Sequence, residues 1–199
     1  MARTSSAASE KSLYGVHPGV ATMQKWVSEL KEKTGRSLEE WIALVKKDGP
    51  AEEASRREWL KTKHKMGTNS AWWVAERAAG KGGEDSSPEE YLAAAVRWVE
   101  EQYSGKKAAL RPVYDALLEL ALKQGPDTKA CPCKTIVPLC RKNVFAQIKP
   151  TTNTRLDLGL FLRGQRAPRR LIPTGGEAKG DRITHRIKIT STAGIDDEV

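Results

Sequence analysis

The feature that most limits how this chain can fold is a period-two alternation of apolar and polar residues between Asn143 and Thr190. Consecutive side chains of an extended strand point to opposite faces, so alternation sorts residues by environment. NVFAQIK puts Val144, Ala146 and Ile148 on one face and Asn143, Phe145, Gln147 and Lys149 on the other. Thr151 to Thr154 carries turn chemistry. The next strand sets Leu156, Leu158, Leu160 and Leu162 against Arg155, Asp157, Gly159, Phe161 and Arg163. A last strand sets Ile183, His185, Ile187 and Ile189 against Thr184, Arg186, Lys188 and Thr190. If the apolar faces cover one core, the opposite face gathers Lys149, Arg155, Arg163, Arg186 and Lys188 around Phe145 and Phe161. Aromatics among cations on a sheet face suit base stacking and phosphate neutralisation. The pattern also suits a face lying under a helix, the more ordinary arrangement, since an antiparallel sheet can leave one side for solvent or for another layer. Gly194 to Val199 reads as the truncated opening turn of such a helix, with acids at its N-terminal end.

Charge points to the same region. The chain of 199 residues has a formal charge of +9. Residues 126–199 contribute 14 basic and 7 acidic side chains, whereas residues 84–125 are net acidic. A positive field concentrated on the expected sheet favours a polyanionic partner. No apolar run reaches the length of a membrane-spanning helix; even Ala116 to Leu122 is broken by Glu119. Residues 1–17 open with MARTSSAASEKS, which lacks the apolar core of a signal peptide and reads as a disordered, cytoplasmic start.

The N-terminal half is helical. Met23, Trp26, Val27 and Leu30 form an amphipathic stripe that stops near Gly35. Ser37 and Glu40 make a capping box for a second helix carrying Leu38, Trp41, Ile42 and Val45, which ends at Gly49-Pro50. A third helix spans about Ala54 to Lys65, and after Met66-Gly67, Thr68 or Asn69 caps a fourth, SAWWVAERAA. This places a helical bundle over residues 18–80. Two short helices joined by a Gly-containing turn are compatible with a helix-turn-helix, whose recognition surface would present Trp73 and Arg77; packing of Trp73 on the neighbouring domain, with the basic third helix a solvated face, is the competing reading.

Residues 81–87 are Gly- and Ser-rich and read as a linker. Ser87-Pro88-Glu89-Glu90 then supplies an N-cap, a favoured Pro and a capping-box Glu. Two helices followed by an antiparallel β-meander make residues 88–199 an α+β domain.

Cys131, Cys133 and Cys140 lack the paired spacing of a zinc site, so no metal or cofactor is expected and the thiols read as structural. An enzymatic reading would need Asp181, His185 and a thiol to act together, with Gly175-Gly176 presenting backbone N–H groups to an anion. Alternation instead puts His185 on the apolar face between Ile183 and Ile187, where a core imidazole bonded to backbone or carboxylate is expected. No phosphate loop, paired acidic metal site or nucleotide fingerprint occurs.

SLYGVHPGV, TGRSLEEWIALVKKDGP and WL…MGTNSAWWVAERA resemble an uncharacterised bacterial helical domain of unknown function. YLAAAVRWVEEQYSGKKAALRPVYDALL, ACPCKTIVPL, FAQIKPTT and TGGEAKGDRITHRI resemble a second uncharacterised domain with which it is paired. The resemblance implies a helix after Ile195, and it implies that Gly175, Gly176, Asp181, Arg182, Thr184, His185 and Arg186 form a family motif. It implies no activity. The expectation is therefore a non-catalytic binding protein that holds DNA or RNA phosphates on its basic sheet face; a protein partner or a small anionic ligand on that face is the alternative.

Overall fold

The computed structural model describes residues 13–162, 170–196 and 199. Among these residues the chain forms six α-helices and a six-stranded antiparallel sheet, an α+β architecture. The chain divides into two compact units, one of residues 16–91 and the other of the segment before residue 16 together with residues 92–199.

The helical unit holds α1 (Pro18–Thr34), α2 (Leu38–Asp48), α3 (Glu53–Lys63) and α4 (Thr68–Ala78). Local chemistry sets most of the ends. The His17 ring accepts from the Gly19 N–H, Gly35 closes α1 in the left-handed region, and Ser37 and Glu40 form both halves of a capping box. The expected side-chain cap of α4 is absent: Gly67 occupies the N-cap and Thr68 is already helical. Leu30, Trp41, Val45, Leu60, Met66, Ala71, Val74 and Ala75 fill the core. The alanines of α4 are small enough for close approach, and the Trp41 indole is buried in the same cluster, with Trp26 and Trp59 packed against it. Residues 81–85 are tied to this unit, because Lys81 reaches Glu53 at 3.1 Å and Asp85 accepts from Arg77 at 2.9 Å.

α5 (Pro88–Gln102), which belongs to the second unit from residue 92 onward, and α6 (Arg111–Leu122) are joined through a 3-10 turn at Gly105–Leu110. The strands are β1 (Lys129–Ala130), β2 (Val137–Cys140), β3 (Val144–Thr152), β4 (Arg155–Leu160), β5 (Ile172–Pro173) and β6 (His185–Ile189), in the spatial order β1-β2-β3-β4-β6-β5. β1 to β4 form a meander, and β6 pairs with β4 so that β5 lies at the edge. Ala146, Ile148, Leu156, Leu158, Ile187 and Ile189 are buried with Val113, Tyr114, Leu117 and Leu118 of α6. Tyr114 stacks on Tyr103 with centroids 4.5 Å apart, and its hydroxyl lies 3.3 Å from that of Tyr14.

Tyr14 corrects the expectation of a disordered start through residue 17. It is buried, and the Gly15 N–H donates to the Ala130 carbonyl at 2.9 Å, so this segment is anchored by a backbone bond beside β1. The rest of that expectation, residues 1–12, lies outside the described residues. Of the opening helical turn expected over Gly194 to Val199, Ile195 is extended after a 3-10 turn at Thr192–Gly194, and the Val199 N–H donates to the Asp196 carbonyl at 2.9 Å; residues 197–198 lie outside the described residues. Arg170 instead holds Asp196 at 2.7 Å.

Candidate functional site

The three central strands lie in register across the polar face, with Lys149, Asp157 and Lys188 in one row and Gln147, Gly159 and Arg186 in the next. The alternation therefore survives folding at these positions. Charge does not stay free, however. Asp157 is only 6% exposed and lies between two guanidinium groups. Arg155 Nε stands 2.9 Å from Oδ1, an ion-pair distance reached outside hydrogen-bond geometry, and Arg186 Nη1 donates to Oδ2 at 3.1 Å. The Thr151 hydroxyl adds a bond to Oδ2 at 2.9 Å. Thr151 can do so from a bulge: β3 and β4 pair as Pro150 with Leu156 and then Thr152 with Arg155, leaving Thr151 as the extra residue. Arg155 and Arg186, expected to hold phosphates, thus neutralise a buried carboxylate. A hollow of about 190 Å³ remains beside them, lined in part by Gln147, Gly159, Thr174 and Ile183.

Ile183 also departs from the alternation. A Cβ on Gly159 would approach Ile183 Cγ2 to 2.7 Å, so Ile183 covers the polar face at this point. β6 begins only at His185, and the extended pattern does not reach back to Ile183.

The two phenylalanines separate. Phe145 falls in a second bulge, between the Leu139–Ala146 and Cys140–Val144 pairs, and lines an apolar cavity of about 180 Å³ with Leu117, Leu120, Leu139 and Leu158. It is not part of the hollow around Asp157. Phe161 is 37% exposed, and the Arg182 guanidinium lies 5.7 Å from its ring centroid. Lys149 and Lys188 are exposed where alternation puts them. Arg163 lies outside the described residues.

In the helical unit Trp73 packs edge-on against Trp26 at 5.0 Å, and Trp26 Nε1 donates to the Ser70 hydroxyl. The Arg77 side chain is 7% exposed, paired with Asp85 and placed over the Trp26 ring. Both residues are held in internal contacts rather than offered to a groove. Trp73 thus packs on α1 of its own unit, not on the neighbouring domain that the competing reading named for it.

The motif from Gly175 onward closes a hairpin between β5 and β6. Gly175 has a φ of +74°, and a Cβ on Gly176 would collide with the Ile183 carbonyl oxygen. The Gly176 N–H donates to the Thr174 hydroxyl, and its carbonyl accepts from Lys179 and Asp181. With the Gly176 N–H engaged, the pair does not present two free N–H groups to an anion. Thr184 is buried, with its hydroxyl accepting from the Leu162 N–H. His185 is half-buried rather than sealed in the core, and its Nδ1 meets the Thr184 hydroxyl at 3.0 Å. Neither Asp181 nor a thiol is hydrogen-bonded to it. The hydrogen bond between Cys131 and Cys140 raises the thiol of Cys131 and lowers that of Cys140; Arg182 adds to the lowering.

A feature that sequence reasoning missed lies at one end of the sheet. A hollow of about 660 Å³ is lined by Lys106, Lys107, Lys134 and Lys149, by Glu101 and Gln102 at the end of α5, and by the polar residues Ser104, Thr135, Thr151 and Asn153. Lys107 Nζ donates to the Pro150 carbonyl at 2.8 Å. Gln102, 7% exposed, donates to the Cys133 carbonyl at 2.8 Å. These two bonds tie the α5–α6 turn to β3 and to the loop before β2. Among the described residues, Lys106, Lys107, Lys149 and Lys188 form no ion pair. The adjacent Lys106-Lys107 after Gly105, in an otherwise acidic stretch, was the available signal.

Residues 99–199 match the family described as Domain of unknown function (DUF5655). The chain belongs to the DUF5655 family. Residues 22–78 match a second, described as Domain of unknown function (DUF4287). No curated protein and no solved structure matches the chain. The DUF5655 match takes in α6, all six strands, the Asp157 cluster and every residue lining the lysine-lined hollow. The DUF4287 match takes in the four helices of the other unit apart from the first residues of α1.

Proposed function

We propose that the DUF5655 unit is a non-catalytic binding module that contacts nucleic-acid phosphates without reading bases. The observation that supports this is the division of its cations. Asp157 occupies Arg155 and Arg186, whereas Lys149, Lys188, Lys106 and Lys107 form no ion pair among the described residues. Lys149 and Lys188 flank Asp157 across two strand spacings, roughly 10 Å apart. Lysine is a compact, mobile charge suited to phosphate neutralisation and poor at bidentate base recognition. On this reading the basic sheet face is the binding face, with the lysines rather than the Asp157-paired arginines as its phosphate contacts.

The test is a titration with mixed-sequence duplex and single-stranded oligonucleotides over a range of salt. The affinity is expected to fall with log salt at about −0.9 per phosphate neutralised on duplex and about −0.7 on single strands. Replacing Lys149 and Lys188 by Ala should reduce the slope by about one unit each. Absence of binding at low salt, or a slope indifferent to both substitutions, rejects the proposal.

A further inference from the structure

We infer that the lysine-lined hollow at the end of the sheet is a seat for a phosphate monoester, the terminal phosphate of a nucleic-acid strand or of a nucleotide. This rests on the phosphate-binding reading above and adds a discrete site to it. The hollow has walls from three separate parts of the chain: the α5–α6 turn with Lys106 and Lys107, the loop before β2 with Lys134, and the end of β3 with Lys149. Lys106, Lys107 and Lys149, which form no ion pair among the described residues, line one concavity together with Lys134, and the carboxylate of Glu101 in its wall has its own partner in Arg97 at 3.8 Å. Like charges gathered around a hollow repel one another, and an anion placed among them relieves that repulsion. A monoester brings close to two negative charges at neutral pH, together with several acceptor oxygens. A phosphodiester brings only one charge and so relieves less of the repulsion among these lysines. Bonds already noted fix the walls: Lys107 Nζ is held by the Pro150 carbonyl, and Gln102 by that of Cys133. Ser104, Thr135, Thr151 and Asn153 supply hydroxyl and amide groups around the lysines.

The experiment compares matched single-stranded oligonucleotides with a 5′-phosphate and with a 5′-hydroxyl, alongside adenosine 5′-monophosphate, adenosine and inorganic phosphate, each titrated into the full chain at one salt concentration. The 5′-phosphorylated strand should bind about tenfold more tightly, and the monophosphate should bind where adenosine does not. Lys106→Met and Lys149→Met should abolish the phosphate preference, with thermal unfolding showing that each variant is folded. Lys188→Ala, outside the hollow, should weaken both strands alike and leave the preference intact. Equal affinity for the two strands, with adenosine monophosphate failing to bind, overturns the seat while leaving phosphate-track binding standing. Monophosphate binding that is lost in Lys106→Met, with no oligonucleotide bound at all, overturns the nucleic-acid reading and leaves the seat standing. Binding of inorganic phosphate as tight as that of the monoesters, unaltered by Lys106→Met, marks an unspecific ion effect and overturns the seat.

Discussion

Replacing Asp157 by Ala should have two opposed consequences, because one buried carboxylate is the partner of two guanidinium groups. Removing one member of a fully buried ion pair is destabilising by about 3–5 kcal/mol. Here the carboxylate is enclosed, but Arg155 and Arg186 are 25% and 36% exposed, so water screens part of the loss. Loss of the Thr151 bond to the charged Oδ2 adds to the effect. About 2–3 kcal/mol is therefore expected for Asp157→Ala. Asp157→Asn keeps the volume and two possible acceptor contacts, so about 1–2 kcal/mol is expected for it. Hydrogen exchange of the β3 and β4 amides reports this unit without interference from the helical one. The loss in the alanine variant corresponds to protection falling by roughly 30- to 140-fold. The same substitution releases two cations onto the face that carries Lys149 and Lys188. Oligonucleotide affinity at low salt should then rise and the salt slope should steepen by up to about two phosphates. Unchanged protection would show that the carboxylate does not organise this face. Lowered protection without a steeper slope would show that the released arginines do not lie where a polyanion binds.

Two further predictions concern packing and pH. Gly159→Ala should destabilise the α+β unit by about 1–3 kcal/mol, since its Cβ would meet Ile183 Cγ2 at 2.7 Å and Gln147 Cγ at 3.0 Å; a thermal midpoint equal to that of the parent would show that Ile183 yields freely. In the helical unit, burial holds His64 below the ordinary histidine range, with Lys63 and Arg36 adding to the effect, and burial likewise lowers His17. The unfolded chain therefore binds protons that the folded chain refuses, so stability is complete above about pH 6.5 and declines as pH falls through the folded values. His64 sits between Trp41 and Trp59 at 5.2 and 4.4 Å, with Nε2 buried and lacking a hydrogen-bond partner. His64→Gln should flatten the decline of the thermal midpoint between pH 7.5 and pH 5, and an unaltered decline would exclude His64 as its source.

Much of the architecture was legible because it rests on short-range rules. Ser37 and Glu40 satisfy backbone groups three residues away, and the alternation from Leu156 to Leu160 and from His185 to Ile189 follows from strand geometry alone. β1 and β2 were not legible. All four residues of β2 are buried, so it shows no alternation, and β1 is two residues long. Phe145 and Thr151 were misplaced or undervalued for one reason: a bulge adds a residue to one strand, and only the partner strand shows where. Asp157 was visible as the lone acid on a basic face, but its weight depends on burial.

By itself the sequence determined the two-part division into a helical segment and an α+β segment, the main strand faces, and the concentration of positive charge in the last third. Those properties depend on neighbours in the chain and on counts of residues. Only tertiary structure decided which charges are spent and which remain. Arg186 reaches Asp157 across a strand pair formed by residues 29 positions apart, and Lys107 meets the Pro150 carbonyl across 43. An ion pair or a hollow is made by proximity in space, and separations of that size leave no periodic trace along the chain.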